Sequence, residues 1–143
     1  MSDFQDNHLA VIANKNSIKF ASEKNKEAWL ALYRDDAVVC DPVGVSPFDE
    51  KGDGHIGKAA IENFWDTVIA SSNIQITAHK RCPSGTHSCA VHQSAVNDMG
   101  NGIKTTIEMI AVYHVDDEGL IKSMQAYWSW DEMQEQLKQL GLG

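Results

Sequence analysis

The sequence predicts an α+β fold, a cone-shaped, curved antiparallel sheet with N-terminal helices enclosing a pocket. Two observations carry this. Apolar residues recur at helical spacing through most of the first half, then at alternating spacing through most of the second. Glycine-bearing turns also separate the last three alternating segments, as hairpins of a meander require.

The elements follow in order. HLAVIANKNSIKFASEK brings Leu9, Ile12 and Phe20 near one stripe of a helix. After the polar break at Lys24 to Lys26, EAWLALY carries Trp29, Leu32 and Tyr33 at helical spacing, with Asn25 as its N-cap. A third helix begins after Gly57, where KAAIENFWDTVI places Ile61, Phe64, Trp65 and Val68 on one side. Strands are expected at AVVCD, NIQITAHK, SCAVHQSAVN, IKTTIEMIAVYHV and LIKSMQAYWSW, with NDMGNG and DDEG as turns. Alternation puts Ile107, Met109, Ala111 and Tyr113 on one face, and Met124, Ala126, Trp128 and Trp130 on one face of the next strand. A closing helix, DEMQEQLKQL, starts at Asp131 and aligns Met133, Leu137 and Leu140.

At 143 residues the chain is expected to form a single domain, residues 1–143. No apolar run approaches the roughly 18 residues of a membrane span, and MSDFQDNHLA lacks the layout of a signal peptide, so a cytoplasmic protein is expected. A formal charge of −8 with scattered cations disfavours nucleic acid. Cys40, Cys82 and Cys89 are odd in number and expected to be reduced. CPSGTHSCAVH gathers Cys82, His87, Cys89 and His92, all zinc-ligand types, but alternation sends Cys89 and His92 to opposite faces and the spacing matches no finger, so no metal site is expected.

Two stretches resemble ketosteroid isomerase, within the nuclear transport factor 2-like (SnoaL-like) superfamily of cone-shaped domains. One is LYRDDAVVCDPVG with the later HIGKAAIENFW; the other is VDDEGLIKSMQAYWS. The resemblance implies a general base at Asp41, the aspartate of a strand-end Asp-Pro, moving a proton beside a carbonyl. A base of this kind needs a partly apolar site to bring its pKa near the working pH. The family's two oxyanion donors do not carry over: ungapped counting puts the tyrosine at Ser17 and the protonated aspartate at Ala111. Tyr33 maps onto a supporting family tyrosine and Trp65 onto another in that network, while counting back through Asn101-Gly102 brings His92 and Ser94 into the pocket.

The candidate catalytic residues are therefore Asp41, Tyr33, His92 and Ser17. Phe64, Trp65, Ser94, Ile107, Met109, Ala111, Tyr113, Met124 and Trp128 are the candidate substrate-binding residues. A neutral imidazole at His92 would donate to an oxyanion, and a charged one would lower the pKa of Asp41. Glu108 points away from the face of Ala111 by alternation. The expected ligand is a small apolar carbonyl compound, with no cofactor implied, and SPFDEKGDGH is expected to cover or narrow the entrance as a flexible loop. The resemblance also implies a homodimer formed through the sheets. The alternatives are a non-catalytic binding or assembly domain, supported by the missing donors, and a hydrolase or dehydratase using a second acid or base such as His92.

Overall fold

The computed structural model describes residues 3–142; Met1, Ser2 and Gly143 lie outside that span. Helices α1 (Asp3–Asp6), α2 (Leu9–Ser22) and α3 (Lys26–Leu30) precede strand β1 (Tyr33–Cys40). A short β2 (His55–Ile56) and helix α4 (Lys58–Phe64) lead to the long strands β3 (Ile74–Ser84), β4 (Ser88–Gly100), β5 (Ile103–Val115) and β6 (Ile121–Tyr127). Helix α5 (Trp130–Gln139) closes the chain.

Helix α2 packs on β3, β4 and β5, and its buried face carries Ala10, Val11, Ala13, Asn14 and Ser17. Leu9 and Phe20 of the expected apolar stripe are partly buried and pack against the core at its margin, while Ile12 is 37% exposed. Small side chains allow the helix to lie close to the sheet. Asn25 caps α3 as expected, its Oδ1 accepting from the Ala28 amide at 3.2 Å. The helix stops at Leu30, however, and Tyr33 opens β1, because Ile121 of β6 donates its amide to the Leu32 carbonyl at 2.8 Å.

The six strands run in the order β2-β1-β6-β5-β4-β3. All neighbours are antiparallel except β1 and β6, which pair in parallel, so the sheet is mixed rather than wholly antiparallel. Parallel neighbours need a crossover, and everything between β1 and β6 supplies it. Beyond α4 the chain continues over Trp65–Ile69 as a π-helical turn, closed by the Ala70 amide on the Trp65 carbonyl at 2.8 Å. Phe64 and Trp65 are both buried there, each contributing about 2–3 kcal/mol of apolar burial.

One irregularity sets which residues face inward. Across the β4–β5 hairpin Gly100 pairs with Ile103, but Asp98 pairs with Lys104, leaving Met99 as an extra residue. This bulge shifts the register by one, and with a side-chain period of two it exchanges the faces of the rest of β4. Strand β6 ends at Tyr127, and Ser129 rather than Asp131 begins the last helix, its Oγ accepting from the Glu132 amide at 3.2 Å. Trp128 and Trp130 thus lie beyond the strand.

All three cysteines are free; Cys89 is buried and Cys82 exposed. Cys89 and His92 fall on opposite faces, as alternation requires, and His87 instead meets Asp117 at 2.7 Å. Among the described residues no helix is long and apolar enough to cross a membrane.

Candidate active site

Strand β1 delivers Asp41 to the wall of an internal cavity. Its cis peptide bond to Pro42 is followed by the Val43 amide, which donates to the Ala126 carbonyl at 2.9 Å and ties the turn to β6. The Trp128 indole Nε1 donates to Asp41 Oδ1 at 2.6 Å, and among the described residues the second carboxylate oxygen has no hydrogen-bond partner. Burial pushes the Asp41 carboxyl up to about 6, while the indole hydrogen bond, which favours the charged form, pulls it the other way. Burial dominates.

The cavity is about 290 Å³ and mainly apolar. Ile107 and Met109 of β5, Met124 and Ala126 of β6, Phe64 of α4, and Trp128 form walls near Asp41; Met133 and Leu137 of α5 line it farther out. The 46–55 loop contributes Phe48, packed edge-on against Trp130 with ring centroids 5.3 Å apart. This loop is braced rather than free. The Asp49 carboxylate accepts from the amides of Gly52 at 3.0 Å and Gly54 at 2.7 Å, and Ser46 and Asp49 exchange backbone hydrogen bonds. Gly54, with φ of +92°, lies so close to β1 that a Cβ would stand 2.7 Å from Cys40 Sγ, which explains glycine there.

A polar cluster forms the rear of the cavity. The Arg81 guanidinium Nε donates to Asn14 Oδ1 at 2.7 Å, Asn14 Nδ2 to Gln93 Oε1 at 3.3 Å, and Gln93 Nε2 to the Met109 thioether at 3.6 Å. Ser17 lies between two phenols, those of Tyr33 and Tyr113. Burial drives the Tyr33 phenol well above its ordinary pKa, helped by Tyr113 and Asp41 and opposed by Ser17. Among the described residues the enclosed Tyr33 hydroxyl has no partner at hydrogen-bonding geometry. Tyr113 is raised as well, by burial, against the polar pull of Ser17 and Asn14.

Of the sequence-derived candidates, Asp41, Ser17, Phe64, Ile107, Met109, Tyr113, Met124 and Trp128 line the cavity together. Three others stand behind its wall. Trp65 packs on Trp29 with centroids 5.1 Å apart, Tyr33 packs on the same indole at 4.7 Å, and Ala111 is fully buried in the core. His92 and Ser94 are outside altogether. The bulge at Met99 turns them to the outer face, where His92 Nε2 meets Glu108 Oε1 at 3.1 Å and Ser94 Oγ meets His79 Nε2 at 2.7 Å. Gln93 takes the inward place. Sequence reasoning passed over Gln93, Asn14, Trp29 and Phe48; a Gly-Asn-Gly turn preceded by an unpaired residue was the available sign of a bulge.

Residues 16–124 match the family model described as a SnoaL-like domain. Among solved structures, the chain is 32% identical to RV0760c from Mycobacterium tuberculosis in complex with estradiol-17beta-hemisuccinate, covering 87% of this chain and 96% of that one, with a TM-score of 0.82. A Delta 5-3-ketosteroid isomerase from Mycobacterium sp. is 34% identical over 87% of this chain and 95% of its own, with a TM-score of 0.81. SalBIII, an epoxide hydrolase/cyclase-like enzyme of pyran ring formation in the polyether salinomycin, shares the fold at 21% identity over 89% and 95% of the chains, with a TM-score of 0.74.

Proposed function

We propose that this chain, which belongs to the SnoaL-like domain family within the nuclear transport factor 2-like fold, is a single-domain enzyme that moves a proton beside the carbonyl of a compact apolar molecule, with Asp41 as general base. The observation that carries this reading is one carboxylate, desolvated to a pKa of about 6 on the wall of an apolar cavity and held at one oxygen by Trp128. A base poised near neutral pH is charged often enough to accept a carbon-bound proton and basic enough to do so. In the reaction, Asp41 takes the proton from the carbon next to the carbonyl. The C–H electron pair forms a C=C bond and the carbonyl π pair moves to oxygen. Asp41 then returns the proton to the far carbon of the new conjugated system.

The similarity to a ketosteroid isomerase and to a protein bound to a steroid ester supports cyclic ketones, including steroids, as ligands. The hydrolase or dehydratase reading calls for a second acid or base near Asp41, and the candidate the sequence offered for it, His92, lies on the outer face. The test is isomerisation of a panel of β,γ-unsaturated cyclic ketones, from single rings to 3-keto-Δ5 steroids, followed by the ultraviolet absorbance of the conjugated product. Turnover should fall at least about 100-fold in Asp41→Asn. Binding without turnover across the panel would favour a non-catalytic ligand-binding domain, and turnover that survives Asp41→Asn would remove Asp41 as the base.

A further inference from the structure

Proton abstraction beside a carbonyl leaves negative charge on its oxygen, and a cavity this apolar must supply hydrogen-bond donors for that charge. Ala111 has no donor to give. Ser17 has a hydroxyl, but it lies beside two phenols and is a weaker acid than either. The Trp128 N–H is committed to Asp41 at 2.6 Å, and the Tyr33 phenol stands behind the wall. Other donor-bearing side chains also line the cavity, Lys24, Trp29, Ser72, Asn97, Thr105 and Trp130 among them, but Tyr113 and Gln93 are the two that adjoin the cluster of Asn14 and Arg81.

Their setting prepares both. Tyr113 pairs across the sheet with Met124, which pairs in turn with Val39, two residues before Asp41, so the phenol and the base arise from one end of the sheet. Ser17 and Asn14 are the polar neighbours of the Tyr113 phenol, which lines the cavity. Arg81 accounts for the orientation of Asn14: its Nε occupies Oδ1 at 2.7 Å, so the Asn14 amide nitrogen is directed toward Gln93 Oε1 at 3.3 Å. With its own oxygen occupied, Gln93 presents its NH₂ to the cavity, where a thioether at 3.6 Å is its partner. A thioether is a weak acceptor, readily displaced by a charged oxygen. The Arg81 charge, relayed through Asn14, favours negative charge at this end of the cavity.

We propose that Tyr113 and Gln93 form the oxyanion site of this protein, a phenol and a carboxamide tied together by Asn14 and Arg81, replacing donors at positions 17 and 111. The inference rests on the proposed base chemistry at Asp41. Tyr113 and Gln93 touch the carbonyl oxygen, while Asn14 and Arg81 are positioning residues.

The experiment reads the carbonyl directly. A cyclic enone carrying ¹³C at the carbonyl is bound to the full-length protein, and its stretching frequency is measured by infrared difference spectroscopy in wild type, Tyr113→Phe, Gln93→Leu and Asp41→Asn. Wild type should lower the frequency relative to the enone in alkane. Tyr113→Phe should restore most of the difference and lower kcat about 100-fold with KM within about threefold, and Gln93→Leu should do so to a smaller extent. Asp41→Asn should abolish turnover while leaving the carbonyl shifted. Incorporating 3-fluorotyrosine at position 113 keeps the fold and makes the phenol more acidic, so it should lower the frequency further. A carbonyl frequency unchanged by Tyr113→Phe and by fluorination overturns the oxyanion site while leaving Asp41 as base. Turnover retained in Asp41→Asn overturns the base reading, whatever the carbonyl shows.

Discussion

Replacing Asp41 with asparagine should make the protein more stable relative to wild type as pH rises from the carboxyl's ordinary pKa to its native one, with the full gain above about 6. The folded-state pKa of about 6 lies above the ordinary value of 3.8, so between these values the folded chain keeps a proton that the unfolded chain releases. Stability therefore falls as pH rises from about 4 to about 6 and levels off beyond. At about 1.4 kcal/mol per pH unit the gap corresponds to about 3 kcal/mol. Asparagine carries no charge to desolvate and still offers Trp128 an acceptor, but its NH₂ faces the cavity unpaired, which offsets about 1 kcal/mol. For a chain of this length the balance is worth about 5 to 10 °C in Tm. The assay is thermal unfolding by circular dichroism from pH 3.5 to 8. The carboxyls of Asp36 and Asp116, held low in the native state, titrate identically in both proteins and cancel in the difference. Asp41→Asn should lie about 1 kcal/mol below wild type near pH 3.5, where only the unpaired NH₂ separates them, and exceed it by about 2 kcal/mol at pH 8. An equal offset at both ends, or a less stable variant at pH 8, would show that the carboxylate is not held against its preference, and the case for a tuned base would fail.

Trp128→Phe removes the one hydrogen bond that favours the Asp41 carboxylate, so the midpoint of the pH–rate profile should move up by about one unit; a fixed midpoint would detach the indole from the base. His92→Ala should leave kcat/KM within about twofold, because His92 bonds Glu108 on the outer face of the sheet; a loss of tenfold or more in steady-state assays would return it to the site. The same outer face exposes Ile110 and Tyr127, 44% and 50% accessible and directly paired across β5 and β6, and it is the surface we expect to join two copies. Sedimentation velocity at micromolar concentration should show a dimer that Ile110→Glu dissociates, and a wild-type monomer would refute it.

The reach of sequence reasoning depended on whether period alone could place a residue. In β5 and β6 it could: alternation put Ile107, Met109, Tyr113, Met124 and Trp128 toward the interior, and the strand-end Asp-Pro put Asp41 among them. In β4 one extra residue defeated it. A bulge changes the parity of every residue beyond it, so a count carried back through Asn101-Gly102 chose His92 and Ser94 where the chain presents Gln93. Helix α2 misled for a different reason. Its stripe of large apolar residues covers only the margin of the buried face, through Leu9 and Phe20; the centre is Val11, alanines, Asn14 and Ser17, and Ile12 is 37% exposed. A polar residue on a helix reads as a solvated one unless its partners are known, and those of Asn14 are Arg81 and Gln93, more than sixty residues away along the chain. The two failures have one consequence. Each hid a member of the same buried polar cluster, Gln93 in one case and Asn14 in the other, while alternation had already put Tyr113 on the cavity wall. The proposed base is legible because one dipeptide carries it; the groups facing it depend on a register shift and on contacts between distant segments, which only the fold brings together.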